Sequence, residues 1–169
     1  MTPTTTRILF CGTGGQGVLK ASEVLGVAAL LSGRCVKKSE VHGMAQRGGS
    51  VESHLIFGDV VYSPLIIPGT ADYLVCFHKD EGNRLAHFLK PDGVSLLPYL
   101  HDAAKLPDAR FINTFLLGVL SAMLPIDHEY WMTAIEEVVA KKIDENKRFF
   151  ALGAALVKKI GLRGDGGNP

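Results

Sequence analysis

The chain has 169 residues, a length that suits one domain burying roughly 70% of the unfolded chain's surface. Hydrophobic residues make up 47% and charged residues 21%, which excludes a disordered or collagen-like chain. Eighteen Lys plus Arg against seventeen Asp plus Glu leave a formal charge of +1, with no broad positive field for gripping nucleic acid.

Met1 to Phe10 lacks the basic-then-apolar order of a secretory signal. The densest apolar stretch, Val27 to Leu31, is far short of the roughly 20 residues that span a bilayer. A cytoplasmic chain with no membrane partner is the expectation. Cys11, Cys35 and Cys76 are odd in number, widely spaced and without a C-x-x-C pair, so they are read as buried thiols in a reducing compartment.

Arg7 to Cys11 is a short apolar run expected to form a strand, and Val18, Ala21, Leu25 and Ala28 recur at helical spacing between Gln16 and Leu31. This helix has a narrow polar edge, so the sheet and another chain, a second copy or a larger partner, are expected to cover it. Gly33 suits the left-handed position that ends a helix. Cys35 and Val36 open a second strand. Ser50 to Phe57 alternates like a half-buried strand, and Gly58-Asp59 predicts a turn into Val60 to Tyr62 as a hairpin at the sheet edge.

Tyr73 to Phe77 reads as a strand covered on both faces. A helix over Glu81 to Leu89, a strand over Gly93 to Leu97 and a short strand at Phe111-Ile112 leading into a helix over Thr114 to Leu124 follow. Asp127 and Asn146 are expected to cap the last two helices, and Gly153 to admit a close backbone. Residues 161–169 lack apolar periodicity and read as a disordered tail. Alternating strands and helices predict a single Rossmann-like, three-layer α/β domain over residues 1–160, with a mostly parallel sheet and an edge hairpin.

Gly12-Thr13-Gly14-Gly15-Gln16-Gly17 fits G-x-G-x-x-G between a strand and a helix. Glycines there allow a tight turn and expose helix N-terminal amides to a phosphate; a plain strand-to-helix connection with no ligand fits the same residues. An NAD site would place an acidic residue about 20 positions on. Lys37 and Lys38 stand there instead, suited to the 2′- or 3′-phosphate of NADP or coenzyme A, or simply solvated. Glu40 to Gly49 is dense in polar side chains yet bracketed by glycines. Within it Glu40, His42, Gln46, Arg47, Gly48 and Gly49 are candidates for a partner-interface or active-site loop, with Arg47 placed to clamp an anion or a partner carboxylate. The alternative is that Arg47 pairs inside the chain with Glu40 or Glu52.

The runs GTGGQGVLKASEVLG, VKKSEVHGMAQRGGSVESHLIFGD, INTFLLG and ENKRFFALG resemble the gamma-type subunits of 2-oxoacid:ferredoxin oxidoreductases, and the KSEVHGMAQRGG run is most similar to the indolepyruvate branch of that family. The resemblance covers nearly the whole chain before the tail. It implies oxidative decarboxylation of a 2-oxoacid on thiamine diphosphate, electrons leaving through iron–sulfur clusters to ferredoxin, and acyl capture by coenzyme A. Three cysteines cannot ligate a 4Fe-4S cluster. Gly164-Asp165-Gly166 stands too near the terminus to be a metal-diphosphate motif. Thiamine diphosphate, magnesium and the clusters are therefore expected on a larger partner subunit, with ferredoxin met only indirectly.

No catalytic or metal-binding residue is expected in this chain. His78, Lys79, Asn113 and Thr114 follow expected strands at carboxyl ends, where open α/β sheets collect ligands, and form a second tier of candidates. The rival readings are a free-standing NADP-binding oxidoreductase and a non-catalytic packing subunit.

Overall fold

The computed structural model describes residues 4–42 and 48–164. In chain order the elements are β1 (Thr5–Thr13), α1 (Val18–Leu31), β2 (Cys35–His42), β3 (Ser50–Gly58), β4 (Ala71–Cys76), α2 (Lys79–Leu85), β5 (Leu89–Ser95), α3 (Leu100–Ala103), α4 (Ile112–Ser121), α5 (His128–Val138) and α6 (Ile143–Gly164). The five strands form one sheet in the order β2-β3-β1-β4-β5. β3 runs antiparallel to β1 and β2, whereas β4 runs parallel to both β1 and β5. Four of the five strands therefore point the same way.

The expected α/β class and three layers hold, with the two faces covered unequally. Ile8, Phe10, Leu55, Phe57 and Val75 face a core built from α1, α4, α5 and α6. Leu9, Cys11, Ile56, Leu74 and Cys76 face Leu85 of α2 and Ile66. Chain exit after β1 goes to the first face and after β4 to the second, so the carboxyl ends of these neighbouring strands form a topological switch point.

The edge hairpin forms from other residues than expected. β3 pairs with β2 on one side and β1 on the other, and Gly58 already faces both Cys35 and Thr5. No hydrogen-bonding edge is left for Val60 to Tyr62, which lie outside any strand with Tyr62 86% exposed. β2 is the edge, and the hairpin is β2–β3. Both faces of β3 are covered: Ser53 is buried against Ser22 of α1, and His54 is buried on the polar face beside Ile66.

Phe111-Ile112 is helical, because the Asp108 side chain accepts from Arg110 N at 3.0 Å and starts a 3-10 turn that runs into α4. The helix expected over Glu81 to Leu89 starts at Lys79 and stops at Leu85, followed by one 3-10 turn. Asp127 holds the N-cap position of α5 in extended geometry, with no side-chain bond. Asn146 lies inside the first turn of α6 rather than at its cap; its Nδ2 donates to Lys142 O at 2.9 Å. Helix α6 continues to Gly164, past the expected start of the tail. Gly33 takes the left-handed conformation at φ 83° as expected. Cys11 and Cys76 are buried neighbours across β1 and β4, whereas Cys35 is exposed. Hydrogen bonding to Cys76, together with burial, pushes the Cys11 thiol well up. Among the described residues no helix is long and apolar enough to cross a membrane.

Candidate functional site

The glycine run turns directly off the end of β1, and each glycine there has a local reason. A Cβ on Gly12 would lie 2.7 Å from Gln16 Oε1 and 2.9 Å from Val18 Cγ2. Gly15 and Gly17 have φ of 91° and 77°, which disfavour any side chain. A Cβ on Gly17 would also run into the Asn113 amide. Helix α1 is 14 residues long, and its N-cap, Gly17, offers no side chain to the first-turn amides. Those orphan N–H groups and the helix dipole are the components of an anion site.

Three other segments hold the turn in place. Gln16 Oε1 accepts from Thr13 N at 2.7 Å, while its Nε2 donates to Phe77 O at 2.9 Å. Gly14 N donates to Gly49 O at 2.9 Å, which joins the end of the Glu40–Gly49 segment to the glycine turn. Gly48 beside it is left-handed at φ 71°. Asn113, in the first turn of α4, places Nδ2 3.5 Å from Gly17 O. Asn113 thus borders the turn, from a helix rather than from the expected strand end. Thr114 is buried behind it and donates to Asn146 Oδ1 at 2.5 Å. His78 caps α2, its Nδ1 accepting from Asp80 N at 3.3 Å, and Lys79 follows it just past the end of β4.

The lysines lie elsewhere. Along β2, His42 pairs with Val51, which pairs with Gly12, so His42 stands level with the glycine turn. Lys38 and Lys37 are level with Ile8 and Arg7 instead, about 13 and 17 Å down the strand from His42 at ~3.3 Å per residue. Lys37 donates to Tyr62 O at 3.0 Å and Lys38 pairs with Glu40 at 2.8 Å. Neither lies level with a phosphate held at the turn, so a role for them would be toward a more distant 2′- or 3′-phosphate. Glu40 sits between Lys38 and His42, and the Lys38 hydrogen bond holds its carboxyl below the usual range against the opposing effect of burial. Gln46 and Arg47 lie outside the described residues.

Sequence reasoning missed a charged cluster on the opposite face. Arg84 Nη2 donates to Ser50 Oγ at 2.7 Å, Glu52 Oε1 at 2.8 Å and Glu81 Oε2 at 2.7 Å. Ser50 and Glu52 face Thr13 and Cys11 across β3 and β1, so the cluster braces the sheet beneath the turn. Burial raises Glu81, but the Arg84 and Ser50 hydrogen bonds outweigh it and leave the carboxyl below its ordinary value. The available signal was Ser50, Glu52 and His54 on one side of β3, together with Glu81 and Arg84 three apart on a helix. Read as a wet face, it is a covered one. Among the described residues no group of three His, Cys, Asp or Glu side chains is placed to hold a metal ion.

The chain is an α/β domain with a glycine turn at the switch point of its sheet, the place where open α/β sheets collect ligands. Residues 7–107 match the model of the pyruvate ferredoxin/flavodoxin oxidoreductase family. The chain belongs to that family. It is 45% identical to the indolepyruvate oxidoreductase subunit IorB of Pyrococcus horikoshii, over 91% of this chain and 96% of that one. It is 27% identical to the 2-oxoglutarate synthase subunit KorC of Archaeoglobus fulgidus, over 94% and 91%. The fold is similar to that of the gamma subunit of a keto/oxoacid ferredoxin oxidoreductase from Geobacter sulfurreducens, with TM-score 0.72 and 22% identity over 91% of this chain and 99% of that one. It is also similar to part of the 2-oxoglutarate:ferredoxin oxidoreductase of Magnetococcus marinus, with TM-score 0.76 and 19% identity over 92% of this chain and 31% of that one.

Proposed function

We propose that this chain is the small, gamma-type subunit of a cytoplasmic 2-oxoacid:ferredoxin oxidoreductase acting on an aryl pyruvate such as indolepyruvate. The substrate class rests on the similarity to indolepyruvate oxidoreductase subunits across almost the full length of both chains. In this reading a larger partner subunit carries thiamine diphosphate, magnesium and the 4Fe-4S clusters, and ferredoxin meets that subunit. The residues of this chain do not fit a cluster: three cysteines are one short of four thiolates, and Cys11 and Cys76 are spent inside the sheet. Thiamine diphosphate supplies the carbanion chemistry of decarboxylation when bound to the partner.

The contribution assigned to this chain is to bind and orient coenzyme A. The observation that carries it is the uncapped start of α1 at Gly17, held between β1 and β4 by Gln16 and met by Asn113 and Gly49. Within Gly14 to Gly17 the Gly14 and Gln16 amides are already bonded to Gly49 O and Thr13 O, so a phosphate of coenzyme A would rest on those of Gly15 and Gly17 and on the first turn of α1, where the helix dipole and N–H groups offset its charge. The Glu40–Gly49 segment, joined to the turn at Gly49, would face the partner subunit.

The test uses the chain alone and the native complex isolated through it. Alone, the chain is expected to be colourless and inert toward 2-oxoacids; the complex should oxidise indolepyruvate in a coenzyme A-dependent way. Gly14→Asp should raise KM for coenzyme A about tenfold or more while leaving KM for the 2-oxoacid within about twofold. A colourless complex without 2-oxoacid oxidation would overturn the assignment, and an unchanged coenzyme A response in the variant would overturn the phosphate site.

A further inference from the structure

A cavity opens beside the glycine turn, between α1, α4 and α5, with a volume of about 230 Å3. Its inner wall is apolar: Ala21, Val24, Leu117 and Ile135 line it, and each is at most 3% exposed. Its charged lining is cationic, Lys20 and Arg110, whose carboxylate partners Glu23 and Asp108 are not part of the lining. This division of chemistry does not suit a bare phosphate, which has nothing to place against the apolar wall. It does not suit a neutral hydrocarbon either, because seating one would strip water from two cations without replacing it.

The polar groups around the cavity narrow the choice. Thr114 and Asn146 satisfy one another, and the Asn146 amide also donates to the Lys142 carbonyl; these groups ask nothing of a ligand. Arg110 uses Nε and Nη2 on Asp108, while Nη1 makes no hydrogen bond among the described residues. Lys20 Nζ has only long contacts, 3.3 Å to Glu23 and 3.4 Å to Val138 O, and its side chain is 61% exposed. Both cations can therefore add an anionic partner without losing a buried one. The volume lies below the roughly 300–1,000 Å3 of sites for drug-sized ligands, so the apolar body is about the size of one ring or one branched chain.

We infer that this cavity binds a small apolar monocarboxylate, with a branched or aromatic body against Val24, Leu117 and Ile135 and the carboxylate between Lys20 and Arg110. The site is separate from the phosphate site at the turn, although Asn113 borders both. It is independent of whether coenzyme A binds there. The chemistry is that of the acids related to apolar 2-oxoacids, so occupancy would report their level to the domain.

The test is titration calorimetry on the full chain with phenylacetate, 4-methylpentanoate, acetate, phenylacetamide and inorganic phosphate. Phenylacetate or 4-methylpentanoate should bind at least about tenfold more tightly than acetate, phosphate or the amide, since only they carry both halves of the ligand. Lys20→Gln and Arg110→Gln, both at exposed side chains, should each weaken binding about tenfold with an unchanged melting temperature. Ala21→Leu, which adds bulk at a buried position of the inner wall, should abolish it provided that circular dichroism shows the variant folded. Equal binding of acetate and phenylacetate, unchanged affinity in the charge variants, or no heat with either apolar acid would overturn the site. Displacement of phenylacetate by coenzyme A would also overturn it, by making the cavity part of the coenzyme site.

Discussion

Gln16 joins the glycine turn to the end of β4: one amide side chain accepts from Thr13 N and donates to the Phe77 carbonyl. Both backbone groups are part-buried, so their alternative to Gln16 is an incomplete water shell. Gln16→Leu leaves the two unpaired and is expected to lower unfolding free energy by about 1–3 kcal/mol. Urea denaturation of the chain measures this; an unchanged midpoint would show that water replaces the amide at no cost.

Gly118 of α4 and Gly153 of α6 lie at a reciprocal contact, since a Cβ on the first would strike the Phe150 carbonyl and a Cβ on the second the Phe115 carbonyl. The obstructing atoms are helix backbone, which cannot rotate aside. Alanine would gain about 1 kcal/mol of helix propensity at either position, yet forcing the helices apart costs typically 1–3 kcal/mol or more. Gly118→Ala and Gly153→Ala should therefore each be net destabilising by thermal melting. A raised melting temperature would mean that α6 can shift along α4.

The Arg84 cluster predicts an acid limb in the stability profile. Glu81 is held below its ordinary value of 4.5 in the folded chain, so the unfolded chain binds the proton more readily. Its stabilising contribution is present above about pH 4.5 and is lost as pH falls through the lower folded value. In Arg84→Gln the main lowering partner is gone while the Ser50 hydrogen bond remains, so the folded value moves back toward the ordinary one. The loss of stability between pH 6 and 4 should therefore be shallower than in the parent chain. Urea unfolding across this window compares the slopes; parallel profiles would remove Arg84 as the cause.

Arg47→Lys separates docking from internal bracing. The acids that could brace Arg47 within the chain already have cations: Glu40 pairs with Lys38 and Glu52 with Arg84. A partner-facing role predicts an unchanged melting temperature for the chain alone with weaker assembly or turnover of the complex, because lysine cannot reproduce the planar guanidinium fork. An early-melting chain that nevertheless assembles and turns over normally would place Arg47 inside the fold.

Some of this was written in local pattern. Gly12 to Gly17 showed its turn because the strand run, the glycines and the helical spacing of Val18, Ala21, Leu25 and Ala28 are consecutive in the chain. Gly33 and the buried strand at Tyr73 to Phe77 were legible for the same reason, as backbone geometry and burial there follow from neighbouring residues. The four ordered motifs likewise identified the family.

What sequence order could not supply was lateral position. Lys37 and Lys38 have the spacing of cofactor ligands, but insertion of β3 between β1 and β2 and the register of that pairing carry them away from the turn. Asn113 was placed after a strand that does not exist, and reaches Gly17 because α4 packs against α1. Ser50, Glu52 and His54 were read as wet because alternation distinguishes the two sides of a strand without saying what covers them; α2 and the segment around Ile66 decided that. Periodicity along a chain is set by backbone geometry over a few residues, whereas strand order, register and the burial of a polar face depend on contacts between distant segments. The sequence by itself determined the class of fold, the glycine turn and the family; tertiary packing alone decided which side chains meet at that turn and which cations border the cavity beside it.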